Sequence, residues 1–104
     1  MKLFRIDEKA FEPLPGGAGA TYLTVDFEGD TYVMVVDLER RGETGKRQLG
    51  VNVLLAVVSG SGQVRSGPSV AEVRAGDVIL IDADEEHTIW TSGEPMRVIL
   101  QSLE

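Results

Sequence analysis

The segment AGDVILIDADEEHTIWT, residues 75–91, is the most informative stretch of the chain. It holds two short apolar runs, Val78–Ile81 and His87–Thr91, on either side of the acidic stretch DADEE. Both runs are too short for a helix and rich in β-branched residues, so they read as strands joined by a charged turn. Working outward, the pattern repeats. Leu3–Ile6, Thr21–Phe27, Thr31–Leu38, Val51–Val58, Gly62–Ser66, Ser69–Val73 and Arg97–Ser102 are short apolar runs bounded by Gly, Pro, Asp or Ser. The breaks EGD (28–30), SGP (66–68) and TSGEP (91–95) carry glycine where tight reversals need positive φ. SGSG (59–62) reads as another glycine-rich turn. IDEKAFE has room for one helical turn, and EPLPGGAGA (12–20) for an arm or long connection, because Pro and Gly disfavour both regular structures.

Strands at this spacing, without helices between them, predict an all-β sandwich or barrel. VNVLLAVV (51–58) is apolar at nearly every position, as are YVMVV (32–36) and VILI (78–81). A half-buried antiparallel strand should alternate, so both faces of these strands are expected to be covered. A chain of 104 residues has little else to cover them with. The N-terminal arm would serve, but a second copy serves better, and a homodimer is expected.

The composition excludes several classes. The length suits one domain, 1–104. The net charge of -7 disfavours nucleic acid. The absence of cysteine removes disulfides, thiolate metal sites and a cysteine nucleophile, and fits a cytoplasmic protein. The first residues, MKLFRIDEKAFE, have no apolar signal region, and no run approaches a membrane span, so no membrane partner is expected. No G-x-S-x-G is present, and SGSG lacks the lysine of a phosphate loop.

Residues 31–102 resemble the cupins. The second cupin motif places a Gly, five residues, Pro, any residue, Gly, two residues, His, three residues and Asn. Gly76 and His87 stand at that spacing, with Asp82, Asp84 and Thr91 in place of the Pro, inner Gly and Asn. The first motif would begin at Gly42 and end at SGSG. Its two histidine positions fall on Gln48 and Gly50, or on Arg47 and Leu49 in a shifted register, and its glutamate position on Val53. The resemblance implies a double-stranded β-helix, or jelly-roll barrel, with residues 31–102 as its core and 1–20 as an N-terminal strand and arm. It also implies a metal held by three imidazoles and a carboxylate, of which His87 alone survives. One imidazole cannot hold a divalent ion against water, and helpers would have to come from Asp82, Asp84, Glu85 or Glu86. The expectation is therefore no bound metal and no cofactor, with DADEE as a solvated turn.

Barrels of this kind bind small molecules at an open mouth. Residues expected to face it are Tyr32, Met34, Gln48, Asn52, His87, Thr91 and Gln101. Lys46 and Arg47 stand beside the lost ligand positions, where they would hold a carboxylate or phosphate. Trp90 has the opposite parity to His87 and, pointing outward, suits an interface anchor. Three functions compete: a metal-free binder of a small, anionic molecule; a metal-independent isomerase or epimerase with His87 as base and Tyr22 or Tyr32 as acid; and a metal-dependent oxygenase with an unusual ligand set.

Overall fold

A computed structural model describes residues 1, 3–28 and 31–103. Eight strands run in chain order: β1 (Glu12–Pro13), β2 (Ala18–Glu28), β3 (Thr31–Glu43), β4 (Asn52–Ser66), β5 (Ser69–Arg74), β6 (Val78–Ile81), β7 (His87–Trp90) and β8 (Met96–Leu103). All pairings are antiparallel. β3 pairs with β8, β8 with β4, β4 with β7, and β7 with β3, so the sheet closes on itself as a jelly-roll barrel. β1 extends the wall beyond β2, while β5 and β6 add to β4. No helix among the described residues is long and apolar enough to cross a membrane.

β4 carries the architecture and departs from the sequence reading. VNVLLAVV and GQVRS are not two strands around a turn. They form one 15-residue strand that passes through SGSG. Its first half pairs with β6 and β8, its second half with β5 and β7. The register against β8 shifts between Val57 and Ser59, and Gly60 takes φ +78, so the strand bends from one wall of the barrel to the other at Gly60. Along the first half Val53, Leu55 and Val57 point into the core, while Leu54 and Ala56 are half-buried on the outer face.

Leu3–Ile6 forms no strand and is exposed. IDEKAFE does make a single 3₁₀ turn, Glu8–Ala10, capped by the Asp7 side chain, which accepts from the Lys9 amide at 3.0 Å. Arg97 ties this segment to the barrel. It donates to both Asp37 carboxylate oxygens at 2.7 and 2.8 Å and to Glu8 at 2.9 Å, and lies 5.6 Å over the Phe11 ring. EPLPGGAGA is more ordered than an arm: β1 turns through Leu14–Gly17 into β2, with the Leu14 amide donating to Ala20. SGP at 66–68 turns β4 into β5 as expected. The EGD turn includes Gly29 and Asp30, which lie outside the described residues.

Candidate functional site

His87 and Arg47 face each other across two backbone hydrogen bonds. Each amide donates to the other's carbonyl at 2.8 Å. Such a reciprocal antiparallel pair sends both side chains to the same face. Here that face is the barrel interior. The two side chains line a cavity of about 30 Å³ together with Leu14, Met34, Val36, Thr44, Leu49, Ile89 and Leu100. His87 is 2% exposed. Its Nδ1 is buried without a hydrogen-bond partner, and so is Nε of Arg47. The Arg47 fork does reach one acceptor, the carbonyl of Pro15 in the β1–β2 turn. The cavity holds a water or two and no more. Leu14, buried in the same turn, packs into its lining.

Burial holds the His87 imidazole below its ordinary value. A backbone hydrogen bond at Glu85 works against this, and the nearby Arg47 charge reinforces it. The ring is therefore neutral at pH 7, with one donor and one acceptor nitrogen.

The residues present do not fit a divalent cation. Around His87 the cavity offers no second imidazole and no carboxylate. Among the described residues no three of His, Cys, Asp and Glu converge. Asp82, Asp84 and Glu86 are exposed, and Glu85 turns to the Ser66 hydroxyl at 3.3 Å, away from the ring.

Of the residues expected at a pocket mouth, the structure brings together Met34, Arg47 and His87. Lys46 is exposed and does not line the cavity. Gln48 is also exposed and donates to the Asp84 carbonyl at 2.9 Å. The Asn52 side chain accepts from the Ala83 amide at 2.8 Å, bracing the acidic turn. Thr91 is buried, but its hydroxyl is spent on backbone, accepting from Gly42 at 2.9 Å and donating to Glu39. Gln101 is exposed, on the outer face of β8. Tyr32 packs against the core with an unpartnered hydroxyl, and burial raises its pKa so that the phenol stays protonated. Neither Tyr32 nor Tyr22 lines the His87 cavity, so the isomerase reading finds no acid beside its base. Trp90 is half-buried and pairs across strands with Gln63 and Glu43. Sequence reasoning missed Leu14 and Thr44. A lone leucine between two prolines is the only local hint of the first. The second shows itself only when its hydroxyl accepts from the Ile89 amide at 3.1 Å.

Residues 43–101 match the family described as AraC-like ligand binding domain. Among curated proteins none matches. Solved structures similar to the chain include a predicted oxalate decarboxylase from Thermotoga maritima, 18% identical over 99% of this chain and 100% of that one, TM-score 0.85. An RmlC-like cupin from Shewanella frigidimarina is 16% identical over 98% and 90%, TM-score 0.81. The polyketide cyclase RemF from Streptomyces resistomycificus is 18% identical over 97% and 79%, TM-score 0.79. At these identities the likeness is one of fold, and the fold is the cupin jelly roll.

Proposed function

We propose a function from one premise: the chain belongs to the AraC-like ligand binding domain family, built on the cupin fold. It binds a small carboxylate or phosphate at the His87–Arg47 cavity, without a metal. The observation that carries this is the pair of orphaned nitrogens, His87 Nδ1 and Arg47 Nε, in one apolar cavity. A buried polar group left unpaired costs about 1–3 kcal/mol, so two of them lining one cavity favour a polar occupant. An anionic oxygen replaces the Pro15 carbonyl on the Arg47 fork, and the neutral imidazole takes the neighbouring polar group. Entry requires Leu14 to leave its seat. Lys46, exposed on the same loop, adds charge to the approach.

The test is thermal unfolding of the protein against lactate, malate and inorganic phosphate. At least one is expected to raise the melting temperature saturably, and Arg47→Ala is expected to abolish the shift. At a hundredfold excess over Kd the gain is about 2.7 kcal/mol. The reading falls if none of these anions stabilises the parent, or if Arg47→Ala responds as the parent does.

The partner surface belongs to the same proposal. Leu23, Val35, Ile99, Ala56 and Val78 are directly paired in register across five strands. Beside them run Val33, Gln101, Leu54 and Leu80. β6 is an edge strand, and its Val78 and Leu80 are 60% and 68% exposed. An apolar edge without Lys or Pro invites pairing, and a second copy of the chain covers it. Trp90 sits on the β7–β4 wall, away from this row. Sedimentation is expected to find a dimer in the parent and a monomer in Leu80→Lys. A monomeric parent at high concentration removes the proposal.

A further inference from the structure

Between the register pairs Ala20–Leu38 and Ala18–Glu43, β2 contributes Gly19 alone while β3 contributes Glu39, Arg40, Arg41 and Gly42. The surplus bulges outward. Arg41 at its tip takes φ +60, and every other described residue with positive φ is glycine. The left-handed region disfavours residues with a Cβ, and glycine is the ordinary solution. The bulge is held from below by Thr91, 4% exposed, whose hydroxyl accepts from the Gly42 amide and donates to the Glu39 carbonyl. The backbone is thus over-determined, and the arginine is carried in spite of it.

Arg40 and Arg41 both line an open groove of about 670 Å³, with Glu39, Ser92 and Gly93. Consecutive strand residues normally point to opposite faces; at this bulge both arginines line the same groove. Neither guanidinium is within ion-pair distance of a carboxylate among the described residues. Ser92 adds a hydroxyl donor, and beside it a Cβ at Gly93 would meet nothing within 4 Å, so access is open.

The geometry points to a second anion site here: Arg40, Arg41 and Ser92 bind a doubly charged oxyanion, phosphoryl or dicarboxylate, on the outside of the barrel. Two forked guanidiniums and a hydroxyl match the several acceptor oxygens of such a group. Ser92 stands two residues beyond the end of β7, and none of Arg40, Arg41 and Ser92 lines the interior cavity, so the site does not depend on it.

The test follows backbone amide resonances of the full chain during titration with inorganic phosphate and, separately, malonate. The tighter probe identifies the source of the oxyanion. The expected result is saturable movement at residues 40–42 and 92–93, lost at least about tenfold in affinity in Arg41→Gly. The same variant relieves the backbone and is expected to melt roughly 5 °C higher. Gaining stability while losing binding separates a working arginine from a tolerated one. Arg41→Gly that melts higher yet binds as before overturns the inference. So do shifts confined to Arg47 and His87. An Arg47→Ala protein should retain this binding, which keeps the outcome separate from that of the interior site.

Discussion

Gly60→Ala lowers the stability of the barrel by roughly 3 kcal/mol. About 1–2 kcal/mol comes from a left-handed residue that is no longer glycine and about 1–3 from overpacking. A Cβ at Gly60 would stand 1.9 Å from the Pro95 carbonyl oxygen and 2.9 Å from the Met96 Cα. Both are backbone atoms, so no rotamer change relieves the contact. Moving them displaces the start of β8, which pairs with β3 on one side and β4 on the other. Urea unfolding checks this: the midpoint should fall with the slope unchanged. A midpoint equal to the parent's would mean that the loop before β8 yields freely and that the bend at Gly60 does not hold the two walls together.

Leu55→Ala is expected to cost about 2–5 kcal/mol, the range for truncating a buried leucine whose surroundings cannot collapse. Leu55 is fully buried in the first half of β4, between Ile79 on β6 and Leu100 on β8. Its neighbours are held by ladders on both sides, which limits relaxation into the space. Val58, three residues on and 48% exposed, provides the contrast: Val58→Ala should change stability by less than about 0.5 kcal/mol. Comparable losses from the two substitutions would contradict the inward placement of Leu55.

These effects separate what is readable in the chain from what is not. The apolar run 51–58 looks uniform, yet one half of it fills the core and the other half faces outward. Hydropathy cannot tell an inner face from an outer face that is itself apolar. SGSG looks like a reversal because glycine marks reversals and bends alike. Only the pairing of Gly60 with Met96 shows that the chain continues. At the site, His87 was legible as the one histidine at motif spacing. Arg47 was legible as a charge beside a lost ligand position. Gln48, Asn52, Thr91 and Gln101 were polar residues near the right place, but the side-chain and backbone bonds that occupy the first three cross 31–52 residues of sequence.

An all-β chain with the spacing of a cupin is readable without coordinates, since short β-branched runs and turn glycines act locally and need no partner to be recognised. The single histidine is equally plain from the chain alone, because a residue type that occurs once needs no coordinates to be counted. Three features needed the folded chain: Arg47 and His87 share a cavity, Leu14 lines it, and Arg41 takes a left-handed backbone beside a groove. Each of these depends on which strand lies beside which and in what register. Register is settled by the burial and pairing of the whole barrel at once, since a slip of one residue would turn every side chain of a strand to the opposite face.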